Sequence, residues 1–527
     1  MLGCMKNGSL LAAVDLGSNS VRLEIGRLDH GQIHRVESLR DPVRLGNGLD
    51  ADRNLTPEAM QRGFEALARF AERLAGFEPA QVRAVATQTL REARNRDLFL
   101  ARASEILGFP IEVIPGREEA RLIYQGVARL LPQSPERRLV IDIGGRSTEF
   151  ILGSGLETGT MESYRIGSVA WSQRYFPDGV FSSAAFQTAE VAAKAILDEA
   201  AAQFVPTDWD VAYGASGTVR TVAAVLSAAG WPPGVITRDG LHWFRRCLIR
   251  AGRIDQLHIE GLKEDRRVMI AGGLCVLSAI FDLLKIERMT AAQGALRQGV
   301  LYDMLGRDVP GTDVRARSVE RMTSVYGVEL TQSQRVEQVA LALLEQLAAG
   351  PSSPQQALPA ERLHRLRRDL AWAARLHEIG TLVSHADYHK HGAYLIEQSE
   401  MAGFALPELQ RLSLLVLGHR GKLRKLEVDF DNEGFALQLL ALRLAVILCH
   451  ARRDPEHDAL HLRLGGPRTF ELDVPALWAQ AYPQSAHLLR EEVEAWRKTS
   501  WSLVLHEEPI RRVERPDSVL MDLTVSA

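Results

Sequence analysis

Apolar and polar positions along the first 30 residues alternate in a way that predicts a hairpin. LLAAVDL and VRLEIG read as two strands, and the small polar run GSNS between them reads as a tight turn. A helical period follows in LTPEAMQRGFEALARFAERLAGF, with Thr56 placed to cap it. VRAVAT then reads as a strand, QTLREARNRDLFLARASEIL as a helix, IEVIPG as a strand and REEARLIYQGVARLL as a helix. This alternation predicts an α/β lobe over residues 1–133.

The same grammar restarts in a second lobe, 134–309, where RRLVIDIGGRSTEFILG repeats the hairpin. After it come the helix AAFQTAEVAAKAILDEAAAQF, the strand and turn DVAYGASGT, a helix from Val219, and AGGLCVLSAIFDLLKI, RMTAAQ and GALRQGVLYDML. Two lobes with matching first hairpins predict a duplicated fold with its site in the cleft between them. From Pro310 to residue 455 the periodicity is helical throughout, as in RVEQVALALLEQLAAG and EGFALQLLALRLAVILCHARR. GPSSPQQALPAE is its most loop-like stretch. ALHLRLGG, TFELDV, LLREEVEAWRK and SLVLHE then predict a small α/β domain over 456–527.

Composition narrows the function classes. A chain of 527 residues, 46% apolar and 24% charged with a formal charge of −3, has no global pull toward nucleic acid or a membrane. A polyanion must therefore be held by local basic groups, and no nucleic-acid partner is expected. Cys4, Cys247, Cys275 and Cys449 form neither a CxxC pair nor a metal-ligand spacing, which fits a reducing compartment. No apolar run precedes Cys4 in MLGC, and FALQLLALRLAVILCH is short and carries Arg443 at its middle. The expectation is a cytoplasmic protein with no transmembrane segment, compatible with peripheral contact at a membrane.

Overlaying the two hairpins puts Asp15 on Asp142, Gly17 on Gly144, Ser20 on Ser147 and Arg22 on Glu149. In each, an aspartate ends a buried strand before a turn of small residues. Backbone N–H groups of such a turn can face an anion while the carboxylate faces a cation. YGASGTVRTVA adds a strand, a glycine-rich turn and a helix N-terminus suited to phosphate. One such turn is commonplace; two at the heads of repeated lobes, with a third beside them, point to phosphate chemistry.

AAVDLGSNSVRLEIG, ATQTLREARN, GREEARLIYQGVA, IDIGGRSTEF, YGASGT and GALRQGVLYDML, in this order, resemble the exopolyphosphatase and guanosine pentaphosphate phosphohydrolase family. That resemblance implies two ribonuclease-H-like lobes of the actin/Hsp70/sugar-kinase fold. The helical half, with LHEIGTLVSHADYHKHGAYLI, resembles the HD-like domain of the long bacterial members. The implied reaction is attack of water on a terminal phosphoanhydride with Mg²⁺. Glu119 is the implied catalytic carboxylate, and Asp142, Glu149 and Asp15 the implied metal-side carboxylates. Phosphate would be held by Gly17, Ser18, Asn19, Ser20, Arg91, Gly144, Gly145, Arg146, Ser147, Ser216, Gly217, Thr218 and Arg267, with Arg297 as a further candidate. The leading expectation is an exopolyphosphatase acting on inorganic polyphosphate, with guanosine pentaphosphate (pppGpp) hydrolysis as the alternative. A kinase, suggested by IAGGL, and a catalytically dead sensor are remoter readings. The long members also imply a homodimer.

Two departures from the family pattern stand out. Arg146 occupies the third glycine position of DIGGGSTE, where Asn19 stands in the paired turn, so its place among the phosphate ligands is this chain's own feature: the guanidinium either reaches substrate phosphate or lies on the surface. In the helical domain, His377, Glu378, His385, His391 and His419 resemble an HD metal site, but Gln332 and Val446 replace ligand types and His-Glu replaces His-Asp. A degenerate domain without metal follows. Its basic run, Arg362, Arg365, Arg367, Arg368 and Arg375 with Arg420, Lys422, Arg424 and Lys425, is a candidate track for a long polyanion.

Overall fold

The computed structural model describes residues 6–132, 134–307, 309, 311–349, 358–399, 401–456 and 459–507. Cys4, most of the GPSSPQQALPAE segment and the last 20 residues fall outside them. The chain divides into two compact units, Met1–Ser318 with Glu400–Glu408, and Val319–Ser399 with Leu409–Ala527.

The first unit holds two sheets. Strands β1 (Leu10–Leu16), β2 (Val21–Asp29), β3 (Gln32–Asp41), β4 (Val82–Ala86) and β5 (Ile111–Val113) order as β3-β2-β1-β4-β5. Strands β6 (Arg137–Ile143), β7 (Thr148–Ser154), β8 (Glu157–Tyr164), β9 (Val211–Ala215), β10 (Val235–Thr237) and β11 (Arg288–Ala291) order as β8-β7-β6-β9-β11-β10. The first three strands of each sheet are antiparallel neighbours and the next two run parallel to the first. The register repeats as well: Asp15 pairs with Arg22 across its turn, and Asp142 with Glu149. The duplication read from two hairpins is thus a repeated strand order, with β10 added at one edge.

Strands β3 and β8 were not foreseen. Both lie on the outer side of their hairpins, with no fully buried residue and only scattered apolar positions, such as Ile33, Leu39 and Met161, to mark a period-2 signal. The long helix expected from Gln88 is broken at Ala93–Asn95 into Gln88–Glu92 and Arg96–Leu107. Thr56 does cap the helix Pro57–Arg73, accepting from the Ala59 N–H at 3.3 Å. The helix expected from Val219 starts at Ser216.

Each sheet has its own core, and a third core joins them. It is built from Leu11, Val85, Val140 and Ile151 of both sheets with the helices Gly116–Ala128 and Leu296–Gly306. These two helices cross closely because glycine stands at the contact. A Cβ on Gly299 would lie 1.7 Å from the Leu122 carbonyl oxygen, and one on Gly126 2.1 Å from that of Ala295. The helix carrying Glu119 is therefore clamped by backbone contact at the junction of the lobes. Gly299→Ala is expected to cost about 1–3 kcal/mol or more through overpacking. A fall in the urea midpoint checks this; an unchanged midpoint would show that the helices can part without cost.

The second unit carries the helices Leu330–Ala349, Ala360–Leu376, Tyr388–Gln398 and Glu433–Leu448, with a three-stranded sheet of β12 (His461–Gly466), β13 (Thr469–Val474) and β14 (Ser502–Glu507). Gln346 in Leu330–Ala349 bonds the backbone of Leu460 and Leu462, so the sheet is tied to the helices. Arg443 is buried in Glu433–Leu448 and satisfied by Glu492 at 2.7 Å and the Gly418 carbonyl at 2.7 Å. Among the described residues no helix is long and apolar enough to cross a membrane.

Candidate active site

The two hairpin turns face one cavity of about 120 Å³ in the first unit. Gly17, Ser18, Asn19 and Ser20 line it from one lobe, and Gly144, Gly145 and Ser147 from the other. Among the described residues, the N–H groups of Ser18, Asn19, Gly145 and Ser147 donate to no backbone carbonyl, leaving them as donors for an anion. Ser216, Gly217 and Thr218 complete the ring. Ser216 is held at φ 82°, a left-handed conformation that costs a serine roughly 1–3 kcal/mol and is typical of functional turns. Thr218 Oγ1 ties this turn to the β6 end through the Ile143 carbonyl at 3.0 Å. Thr87 lines the cavity from the position after β4 that corresponds to the Ser216 turn after β9.

Three carboxylates line the cavity: Asp15, Glu119 and Asp142. The neighbouring glutamates that open the helix Gly116–Ala128 have separate fates. Glu118 is buried away from the cavity against Arg121 at 2.7 Å and the Gly403 N–H at 2.7 Å. Arg121 continues to Asp303 at 2.6 Å, and Asp303 to Arg83 at 2.6 Å. Glu118 anchors the helix, and Glu119, one residue on, faces the cavity. Arg91 holds it, with Nη1 2.8 Å from Glu119 Oε2 and 2.8 Å from the Ile114 carbonyl.

Burial and mutual repulsion push these acids up. Asp142 rises to about 7, first by desolvation and then by the Glu119 charge. Asp15 and Glu119 also rise by desolvation, against the lowering effect of Arg297 on the first and of Arg91 on the second. Glu149 is raised well above the usual carboxylate range by burial, then by Glu119 and Asp142. It does not line the cavity but lies buried behind Asp142 in the β6–β7 register, accepting from Ser163 at 2.9 Å.

Four arginines face the same cavity: Arg22, Arg220, Arg266 and Arg297. Burial and the neighbouring cations lower Arg22 to about 10, and Arg220 and Arg266 are lowered in the same way. Arg297 reaches Asp15 at 3.6 Å and Glu24 at 3.2 Å. The cations are thus crowded against cations and the acids against acids. An anion relieves the first strain and a cation the second.

The structure relocates three of the sequence-derived phosphate ligands. Arg91 does not line the cavity, because its guanidinium is engaged by Glu119, Gln88 and Ile114. Arg146 lies in a separate depression, with Nη2 2.8 Å from Glu92 and Nη1 3.2 Å from the Gly46 carbonyl. Its φ is not left-handed, so no glycine is required there. Arg266, not Arg267, enters the cavity: it packs against Gly217, where a Cβ would lie 2.5 Å from the guanidinium, and Arg267 Nε is buried without a partner.

Sequence reasoning missed Arg220, Arg266 and the inward role of Arg22. Arg22 had a signal, since it alternates with the buried Val21 and Leu23 directly after the turn. The glycine pair of IAGGL is taken up by helix packing. Cβ atoms on Gly272 and Gly273 would meet Ser172 N at 2.3 Å and Thr218 Cγ2 at 2.6 Å.

Among the described residues no three His, Cys, Asp or Glu side chains form a group able to hold a metal by themselves. In the second unit His377 and His419 stack edge-on at 5.4 Å and line a cavity of about 550 Å³ with Glu378, Tyr388 and Arg443. His385 and His391 are not part of it. The basic run there is spent locally only in part: Arg375 pairs with Glu337, Arg367 with Glu345, and Arg368 with Asp369 while lying over Trp372, whereas Arg365, Lys422, Arg424 and Lys425 are exposed.

Comparison with known proteins places this geometry. A family model described as the Ppx/GppA phosphatase family matches residues 25–308, and one described as Ppx/GppA phosphatase, domain III, matches 314–494. A guanosine-5'-triphosphate,3'-diphosphate pyrophosphatase of Pseudoalteromonas translucida is 38% identical over 94% of this chain and 98% of its own. A protein of the same description from Photobacterium profundum is 36% identical over 94% and 98%. Among solved structures, an exopolyphosphatase-like protein is 26% identical with a TM-score of 0.51, covering 56% of this chain and 98% of its own. An exopolyphosphatase from Cytophaga hutchinsonii ATCC 33406, at 24% identity and a TM-score of 0.50 over 56% and 98%, shares the fold.

Proposed function

The chain belongs to the Ppx/GppA phosphatase family, and from that membership we propose that it removes the terminal 5′ phosphate of guanosine 5′-triphosphate 3′-diphosphate. The observation that carries a phosphohydrolase reading is the cavity itself, where uncapped N–H groups and four arginines converge on one point beside Glu119. Glu119 accepts a proton from the attacking water as its oxygen bonds to the terminal phosphorus. The bridging P–O bond breaks, orthophosphate departs, and the shortened nucleotide takes the electron pair. Arg91 holds the Glu119 carboxylate in place, and the two hairpin turns and the Ser216–Thr218 turn donate to the phosphoryl oxygens.

Asp142 and Asp15, which line the cavity, would hold Mg²⁺, with Glu149 buried behind Asp142 as a further carboxylate on that side. Their all-oxygen donors fit, because this ion takes one or two carboxylates and completes its shell with water and substrate phosphate rather than a protein cage. When bound it offsets charge on the phosphate oxygens. The buried carboxylates of Asp142 and Glu149, raised first by desolvation and then by neighbouring acids, support this reading.

One observation favours the guanosine substrate over inorganic polyphosphate: the relatives that align along nearly the whole chain carry that activity in their names. The finer labels, ribonuclease-H-like for the lobes at 1–133 and 134–309 and HD-like for the helical part, belong to the same reading and rest on the repeated strand order and the His377–His419 pair. Orthophosphate release from the guanosine compound and from long-chain polyphosphate, side by side with Mg²⁺, tests the assignment. The expected result is a kcat/KM at least ~10-fold higher for the nucleotide, about 1.4 kcal/mol of transition-state preference. The reverse order would establish the exopolyphosphatase, and no release from either would establish a binding protein.

A further inference from the structure

We propose that Arg146 is a positioning residue for Glu119, acting through a relay of charged and amide groups that runs outside the substrate cavity. The inference rests on the reading of Glu119 as the group that takes the water's proton. Arg146 donates to Glu92 Oε2 from Nη2 at 2.8 Å and from Nε at 3.1 Å. The other oxygen of Glu92 accepts from Gln88 Nε2 at 2.6 Å. Gln88 Oε1 in turn accepts from Arg91 at 2.8 Å and 3.0 Å, and Arg91 Nη1 reaches Glu119 Oε2 at 2.8 Å. Every member has its partner on each side: guanidinium, carboxylate, amide, guanidinium, carboxylate.

The order matters because each group has one role to give. The Gln88 amide presents its oxygen to Arg91 only while its nitrogen has an acceptor, and Glu92 is that acceptor. Glu92 directly follows Arg91 in the chain and is part-buried. Left without Arg146 it is an uncompensated carboxylate beside a guanidinium that Glu119 needs. Arg146 neutralises it from the opposite side, so Arg91 remains on Glu119. Arg53 and Arg165 share the depression with Arg146, yet among the described contacts neither bonds Glu92. The relay links the two lobes, since Arg146 sits on the β6–β7 turn and Glu92 after β4, and the wall between depression and cavity is thin. A Cβ on Gly46 would lie 3.0 Å from Arg146 Cδ and 3.2 Å from Ser18 Cβ.

The test is a cycle of Arg146→Ala, Glu92→Gln and the double variant, assayed for orthophosphate release on whichever substrate the wild type cleaves. Arg146→Ala is expected to lower kcat ~10-fold with KM within about 2-fold, as misplacement of a reacting group does. The double variant is expected to recover to within about 3-fold of wild type, because removing the Glu92 charge removes the need for Arg146. Arg146→Lys, which keeps the charge and loses the two-pronged grip, is expected to fall between wild type and Arg146→Ala. It replaces the alanine variant if melting shows that the latter does not fold.

A rise in KM with kcat unchanged would make Arg146 a substrate contact and overturn the proposal. An unchanged Arg146→Ala, or a double variant no faster than the single, would overturn it as well. Glu119→Gln, run alongside, separates two failures. If that variant keeps full activity, the reading of Glu119 falls; if it is inactive while Arg146→Ala is normal, only the relay falls.

Discussion

Glu119→Gln is expected to lower kcat for terminal phosphate release roughly 10²–10⁴-fold while leaving KM within a few-fold of wild type. The substitution keeps shape and an oxygen for Arg91 to bond, but removes the group proposed to accept the proton of the attacking water. On the proposed reading substrate would be held elsewhere, by the hairpin turns, the Ser216–Thr218 turn and the four arginines that line the cavity, so binding is expected to survive. Glu118→Gln, by contrast, is expected to act on stability: it weakens a buried network through Arg121, Asp303 and Arg83 that fixes the helix. Kinetics and denaturation of the two variants together read out the division of labour between adjacent glutamates. Equal losses of kcat in both, with equal loss of stability, would sink it.

Asp142→Asn is expected to have opposite effects on activity and stability. Activity falls about 10²-fold or more, since a carboxylate on the cation side of the phosphate is lost. In metal-free buffer at pH 8 the variant is expected to melt higher than wild type, because the ionised Asp142 is buried beside Glu119 and Asp15.

The sign follows from the direction of the shift. The fold raises Asp142 from the ordinary 3.8 to about 7, so it favours the protonated form. The stability this contributes is whole below about pH 4 and is lost as pH climbs through about 7. Asp15, Glu119 and Glu149 are shifted in the same direction and act with it. Melting temperature of the metal-free wild type is therefore expected to drop between pH 5 and 8, with Mg²⁺ restoring more at pH 8 than at pH 5.5. A thermal scan with and without Mg²⁺ checks both; a metal-free protein that melts higher at pH 8 than at pH 5 would remove the basis for the cation site.

The strain in this cavity explains why it is legible as a site at all. Carboxylates raised by burial and then by neighbouring acids, and arginines lowered by burial and then by neighbouring cations, are unfavourable in the free protein, in hairpins whose backbones are held by sheet registers on both sides. The same logic accounts for Ser216 in a left-handed conformation and for Gly217 beneath Arg266. Each is a local cost that places an N–H or a guanidinium where phosphate oxygens would lie.

What the chain determined by itself is what depends on local order: the two hairpins with their aspartates, the glycine-rich turns, the Thr56 cap and the helical periods after Pro310. Neighbours in sequence set turn chemistry and periodicity, so these were readable without contacts. The outer strands β3 and β8 were not, because they are held by hydrogen bonds to a hairpin already formed and bury too little to carry a pattern. Nor was the choice between Arg266 and Arg267, which turns on one step of helix rotation against Gly217.

Arg146 shows the boundary most sharply. Its sequence position, inside a phosphate turn, pointed at the substrate. Tertiary structure brings Glu92 from the other lobe to within 2.8 Å, and a part-buried carboxylate at that distance outcompetes a cavity on the far side of the turn. A turn's backbone is specified by the residues within it, but the direction of a long charged side chain is decided by the nearest opposite charge, and only the assembled lobes bring that charge within reach.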